Sequence, residues 1–234
     1  MSLSGSSFLD FYLVNMIFIN FKTFEESSGD RGLALLNIIG DVSTQTEVSL
    51  IPVVQPLDLA LFSGKTLLKL WVQHIDPISF GAHTGAILPE EVIRLQGKGT
   101  FLNHSEHQIL FRDLQSSVAR AREVGLKTLV FAKDILVLQR VLKLRPDFVS
   151  YEPPELVGST TTSVSQAKPE VIYEAGEMCR IAGIPLIVGA GIHSTEDVQV
   201  ALQGGAQGIA VATDIVKSTD PKSALLSLVR GFNK

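Results

Sequence analysis

Pro185-Leu186-Ile187-Val188-Gly189-Ala190-Gly191 is an apolar run ending in a glycine turn; Ser194-Thr195-Glu196-Asp197 then opens a helical pattern, and a second apolar run, Gly208-Ile209-Ala210-Val211-Ala212, follows. Run, turn, helix and run is the pattern of a parallel strand–helix–strand unit. The serine stands three residues ahead of an acid, a helix-start signature in which side chain and backbone satisfy each other's hydrogen bonds. Neither run alternates polar with apolar residues, as expected of strands covered on both faces.

Working outward, the same unit recurs. Strands are expected at Val14–Asn20, Val48–Val54, Leu68–His74, Gly99–Asn103, Thr128–Ala132, Phe148–Glu152, Pro185–Gly189 and Gly208–Ala212. Helical patterns separate them at about 30–40, 57–63, 88–96, 111–124, 134–144, 167–182, 194–203 and 220–232, with Pro169 and Pro221 suited to first turns. Eight such units close a (β/α)8 barrel, and a chain of 234 residues fits one such domain. The expected division is a flexible leader or appended extension over 1–15 and the barrel over 16–234. Phe8 to Phe21 is too short for a membrane span and lacks the basic start of a signal peptide.

A net charge of −4 leaves no electrostatic footprint for nucleic acid, so an anionic ligand needs local cations or backbone N–H groups. The single cysteine, Cys179, cannot form an intramolecular disulfide, and no paired-cysteine metal spacing occurs. A reducing cytoplasm is the simplest setting, with Cys179 a small buried helix residue.

In a barrel of this kind the site lies at the C-terminal ends of the strands. Those ends read Asn20-Phe21-Lys22, Gln73-His74, Asn103-His104-Ser105-Glu106, Tyr151-Glu152-Pro153-Pro154, Gly189-Ala190-Gly191 and Ala212-Thr213-Asp214. Pro153 disfavours the helical region for Glu152, which places that carboxylate extended at a strand end, ahead of the Ser/Thr-rich tract 159–163. Lysine, histidine and glutamate at one mouth, with glycine turns opposite, suit proton transfer on a phosphorylated substrate. Taken singly, each has a plainer reading: Lys22 as a solvated charge, His104 as a structural histidine, Gly189-Ala190-Gly191 as an ordinary turn. His104 and His107 have a spacing found in metal sites, with His74 and His83 upstream, but no accompanying Asp/Glu–His pattern, so no metal is expected.

Together with Gln73-His74-Ile75-Asp76-Pro77, Gly81-Ala82-His83-Thr84-Gly85, Tyr151-Glu152-Pro153-Pro154-Glu155-Leu156-Val157-Gly158 and Ala167-Lys168-Pro169-Glu170, these segments resemble the triosephosphate isomerase family in its shorter archaeal-type form, from about Met16 onward. The resemblance implies interconversion of dihydroxyacetone phosphate and glyceraldehyde 3-phosphate through an enediol(ate), in glycolysis and gluconeogenesis, without metal or organic cofactor. It implies Glu152 as base, His104 as neutral electrophile, Lys22 as substrate-binding cation and Asn20 as orienting amide. Ser105 is then a partner of Glu152 and Glu106 of Lys22, with Gly158, Ser165, Gly189, Ala190, Gly191, Ala212 and Thr213 around the phosphate. It also implies self-association, as dimer or tetramer, through loop 77–88 with Phe80, His83 and Thr84.

Two departures stand out. After Val157-Gly158 the family has Thr-Gly where this chain has Ser159-Thr160-Thr161-Thr162-Ser163, which removes a ready φ > 0 position from the lid. Asp214 stands near the phosphate, where small uncharged residues are expected, and should point away or cap the next segment. The rival readings are another phosphate-binding barrel enzyme, and a barrel that kept the fold as a binding or scaffold protein.

Overall fold

The computed structural model describes residues 15–152 and 169–233. Eight parallel strands, each hydrogen-bonded to the next and the eighth to the first, close a barrel. They are β1 Met16–Asn20, β2 Ser49–Val54, β3 Trp71–Val72, β4 Gly99–Leu102, β5 Lys127–Ala132, β6 Phe148–Tyr151, β7 Leu186–Val188 and β8 Gly208–Val211. Around them lie helices α1 Gly29–Ser43, α2 Pro56–Phe62, α3 Pro89–Arg94, α4 Phe111–Val124, α5 Ile135–Leu142, α6 Pro169–Ala182, α7 Thr195–Gln203, α8 Thr213–Val216 and α9 Pro221–Arg230. Among the described residues no helix is long and apolar enough to cross a membrane.

Successive side chains of a strand point to opposite faces, so each strand builds two cores at once. Ile17 and Ile19 of β1 join Leu50, Val130, Val149 and Ile209 in the layer between barrel and helices. Met16 and Phe18 join Ile51, Trp71, Phe101, Phe131 and Phe148 inside the barrel. The interior is aromatic and tightly interleaved: Phe18 meets Trp71 edge to face at 5.0 Å, and Phe101 meets Phe131 at 4.8 Å. The same alternation sets the site. Asn20 continues the inward series of Met16 and Phe18, and Glu152 continues that of Phe148 and Ser150, so both surface where the inner face opens at the C-terminal end.

The helix opening after β7 forms the expected capping box, Ser194 accepting from the N–H of Asp197 while the Asp197 carboxylate accepts from that of Ser194. Strand β3 is shorter than the run Leu68–His74 suggests. Thr66 Oγ1 takes the N–H of Leu68 (3.1 Å), a local turn that competes with the ladder, and beyond Val72 only Gln73 N, bonded to Val54 O (3.2 Å), extends it. The turn after β8 is not a simple loop either, because Thr213 and Asp214 begin α8.

Trp71, the only tryptophan, fits because Gly99 beside it has no side chain: a Cβ there would lie 2.5 Å from two atoms of the indole ring. Gly99→Ala is expected to destabilise the fold by roughly 1–3 kcal/mol. Thermal unfolding followed by Trp71 fluorescence checks this, and an unchanged melting temperature would contradict it.

Candidate active site

One cavity at the C-terminal mouth is lined by Asn20, Lys22, His104, Glu152, the turn Gly189–His193 and the turn Ala212–Asp214, over a floor that includes Phe101 and Phe131. Of the residues expected at the site, Asn20, Lys22, His104, Glu152, Gly189, Ala190, Gly191, Ala212 and Thr213 meet here. Ser105 and Glu106 stand behind them. Gly158 and Ser165, with the tract 159–163, lie outside the described residues.

Lys22 follows β1 in the left-handed region (φ 49°), a costly conformation for a lysine. Two side chains hold it there. Asn20 Oδ1 accepts from Lys22 N at 3.0 Å, and Gln73 Nε2 donates to Lys22 O at 2.8 Å. Gln73 Nε2 also lies 3.3 Å from Asn20 Oδ1, so Gln73 ties the two together. The Lys22 ammonium is 2.8 Å from Glu106 Oε1.

Asn103 is the second left-handed strand-end residue (φ 60°). Its amide donates to Phe131 O (3.0 Å) and accepts from Ile109 N (3.2 Å), clasping both ends of the loop that carries His104, Ser105 and Glu106. Inside that loop the N–H of Glu106 donates to His104 Nδ1 at 3.1 Å. A nitrogen that accepts carries no proton, so the ring is neutral with its hydrogen on Nε2, and Nε2 lies 4.0 Å from Glu152 Oε2. Burial lowers the His104 pKa to about 4; the Glu106 charge opposes this and Lys22 adds to it. The Glu106 carboxylate, 3.7 Å from Nδ1, is thus not half of an ion pair with that ring.

Glu152 is 5% exposed. Burial raises its pKa to about 8, against the opposing effects of Lys22 and of the Ser105 hydroxyl, which lies 3.4 Å from Oε2; the Glu106 charge adds a little to the rise. Room for the carboxylate comes from Gly189, where a Cβ would lie 2.5 Å from Glu152 Oε1 and 2.5 Å from Ser150 Oγ. The N–H of Gly189 donates to Tyr151 O at 3.3 Å, continuing the sheet by one bond.

Asp214 also departs from expectation. It lines the cavity, and its Oδ2 lies 2.5 Å from His193 Nδ1 across the gap between the two turns. The imidazole draws the carboxylate toward the mouth. Neither Gln73 nor His193 carried a role in the sequence reading, although Gln73 stands in the quoted strand-three end. The His74 and His107 rings lie tilted to each other with centroids 4.4 Å apart, and among the described residues no three His, Cys, Asp or Glu converge as metal ligands.

Fold and site together define a (β/α)8-barrel enzyme with its polar groups gathered at the C-terminal mouth. A profile described as triosephosphate isomerase matches residues 15–231. The triosephosphate isomerase of Metallosphaera sedula is 36% identical over 219 residues, covering 93% of this chain and 96% of its own; that of Saccharolobus solfataricus is 39% identical over 211 residues, covering 90% and 92%. The crystal structure of triosephosphate isomerase from Bartonella henselae superposes with a TM-score of 0.73 at 16% identity, covering 94% of this chain and 99% of its own, which speaks to the fold. The chain belongs to the triosephosphate isomerase family, in its archaeal-type form.

Because the folded state binds the Glu152 proton more tightly than the unfolded chain does, this group's stabilising contribution is fully present below its ordinary value of 4.5 and is lost as pH rises through about 8. Glu152→Gln carries no charge and escapes that loss. It is expected to melt above the wild type at about pH 9, by on the order of a few kcal/mol, with the gap shrinking toward about pH 4. Melting curves across that range check the sign; a variant less stable than wild type at high pH would contradict it.

Proposed function

We propose that the protein interconverts dihydroxyacetone phosphate and glyceraldehyde 3-phosphate. The observation that carries this reading is the pairing of a desolvated carboxylate, Glu152, with a neutral imidazole, His104, whose Nε2 hydrogen faces the same space. The Glu152 carboxylate takes a proton from C1. The C–H electrons form the C1–C2 double bond and charge moves to the carbonyl oxygen, where the His104 donor and the Lys22 ammonium offset it. Transfer of the O1 hydroxyl proton to O2, and return of the proton from Glu152 to C2, gives the aldehyde with a hydroxyl on C2.

A base excluded from water is stronger once ionised, and donors fixed in advance stabilise charge where it develops without reorganising. Neutrality of His104 suits this role, because an imidazolium beside Glu152 would favour the ionised carboxylate and weaken it as a base. Asn20 orients the substrate oxygens, Ser105 holds the resting Glu152, and Glu106 holds Lys22. Ala190, Gly191, Ala212 and Thr213 surround the phosphate, with Gly158 and Ser165 contributing from the segment after β6. Each step is a proton transfer, so the chemistry needs no cofactor.

In a coupled assay with glyceraldehyde 3-phosphate, Glu152→Gln is expected to lose on the order of 10²–10⁴-fold in kcat. Wild-type protein turning over no faster than that variant would end the reading. The acid limb of kcat/KM should lie well above the ordinary carboxylate range. Ser105→Ala should move it higher still, since the serine hydrogen bond favours the ionised form. A limb that Ser105→Ala leaves in place would remove Glu152 as its origin.

The same reading includes self-association through loop 77–88. Its ends are pinned by Asp76, which accepts from Ile87 N at 2.7 Å and donates from its own N–H to Ile87 O at 3.0 Å, and by Arg120, which donates to Ile78 O at 2.9 Å. The held loop presents Phe80 at 71% exposure, an apolar surface that a second copy can cover. Light scattering in dilute buffer is expected to give a dimer or tetramer, and a monomer would overturn this part.

A further inference from the structure

The cavity contains more negative charge than a phosphate-binding site calls for. Among the described residues that line it, Lys22 is the sole lysine or arginine, and its ammonium already meets Glu106 at 2.8 Å. Two carboxylates face the same space, Glu152 from β6 and Asp214 from the first turn of α8. Glu152 has a part in the chemistry. Asp214 has none, and it sits at the end of the cavity where Ala212 and Thr213 lie, so a bare charge there repels a phosphate dianion.

What answers Asp214 is His193. A carboxylate only accepts, so the ring carries its proton on Nδ1 and donates it across 2.5 Å. The backbone that carries the ring is held as well: the main-chain N–H of His193 donates at 3.1 Å to Oδ2 of Asp197, the buried acid of the α7 capping box. Both partners are only partly exposed, with side-chain exposures of 29% and 39%, so their interaction is screened less than that of a pair in open water.

We propose that His193 and Asp214 form a specificity-determining pair for the substrate's phosphate. His193, anchored through Asp197, offsets the Asp214 charge and sets how tightly a phosphate dianion is held between the turns after β7 and β8. The pair rests on the isomerase reading for its substrate, but the anion-binding part can be measured apart from turnover.

The test uses the full chain as wild type, His193→Ala, His193→Gln, Asp214→Asn and the His193→Ala/Asp214→Asn double variant. Steady-state kinetics with glyceraldehyde 3-phosphate and calorimetric titration with inorganic phosphate are run on each. Loss of the imidazole leaves Asp214 uncompensated, so both single His193 variants should raise KM and weaken phosphate binding roughly three- to tenfold, with kcat falling by less. Removing the carboxylate as well should bring the double variant back to within about twofold of wild type. A merely structural bond predicts the opposite, a double variant no better than either single one.

Unchanged KM and phosphate affinity in the His193 variants overturn the proposal, as does failure of the double variant to recover. Wild-type protein that binds no inorganic phosphate overturns it too. If His193→Ala does not fold, His193→Gln and Asp214→Asn decide, the latter by binding phosphate at least as tightly as wild type. Absence of turnover in wild type ends the isomerase reading alone, since the phosphate titration still decides the pair.

Discussion

The site depends on burying one carboxylate where the barrel has just enough space for it. Glu152 lies one pleat beyond Ser150 on the inner face of β6, and the pairing of Tyr151 with Val188 brings Gly189 against it. Any side chain at 189 would fall on the carboxylate, so barrel closure and the absence of a Cβ fix its position together. Burial opposes ionisation, while Lys22 and Ser105 favour it, and burial prevails. The protein thus keeps a group in a state that disfavours the fold at neutral and high pH, as expected where stability gives way to reactivity.

Backbone strain works alongside this. Lys22 and Asn103 both sit in the left-handed region one or two residues past a strand, and both are clasped by side-chain amides. Each such residue costs on the order of 1–3 kcal/mol and persists only because its surroundings over-determine it. Gln73 and Asn20 provide that for Lys22; Phe131 and Ile109 provide it for Asn103. The clasps turn the chain sharply at the mouth, so a cation and a neutral imidazole enter one cavity instead of continuing outward along their strands.

Much of this was open to reading in the sequence because it follows from local rules. Continuous apolar runs separated by helical patterns give a closed parallel barrel, and Ser194 with Asp197 marks a helix start without tertiary help. Strand β3 falls short of its apolar run because Thr66 competes for the Leu68 N–H, a bond between neighbours that a hydropathy pattern does not register. Gly189 also vacates space for Glu152 and continues the sheet, both consequences of register. Charge alone says that Asp214 should turn away from a phosphate; its partner, His193, lies on another turn, and only barrel closure brings the two within 2.5 Å. Apart from that bond between neighbours, what escaped reading depends on distances between segments far apart in the chain.

The aromatic interior joins packing to chemistry. Phe101 and Phe131 belong to the inner core with Phe18 and Trp71, and they also floor the cavity. His104 and Phe131 meet in a T-shaped contact with centroids 4.7 Å apart, so the imidazole meets hydrocarbon instead of water there. Burial is the leading cause of the shifts at both His104 and Glu152, in opposite directions, because each disfavours its charged form in a poorly polarisable surrounding. A polar floor would relax both shifts at once, leaving a weaker base and an imidazole that takes up a second proton more readily. The residues that close the barrel interior therefore also set the protonation states on which its mouth depends.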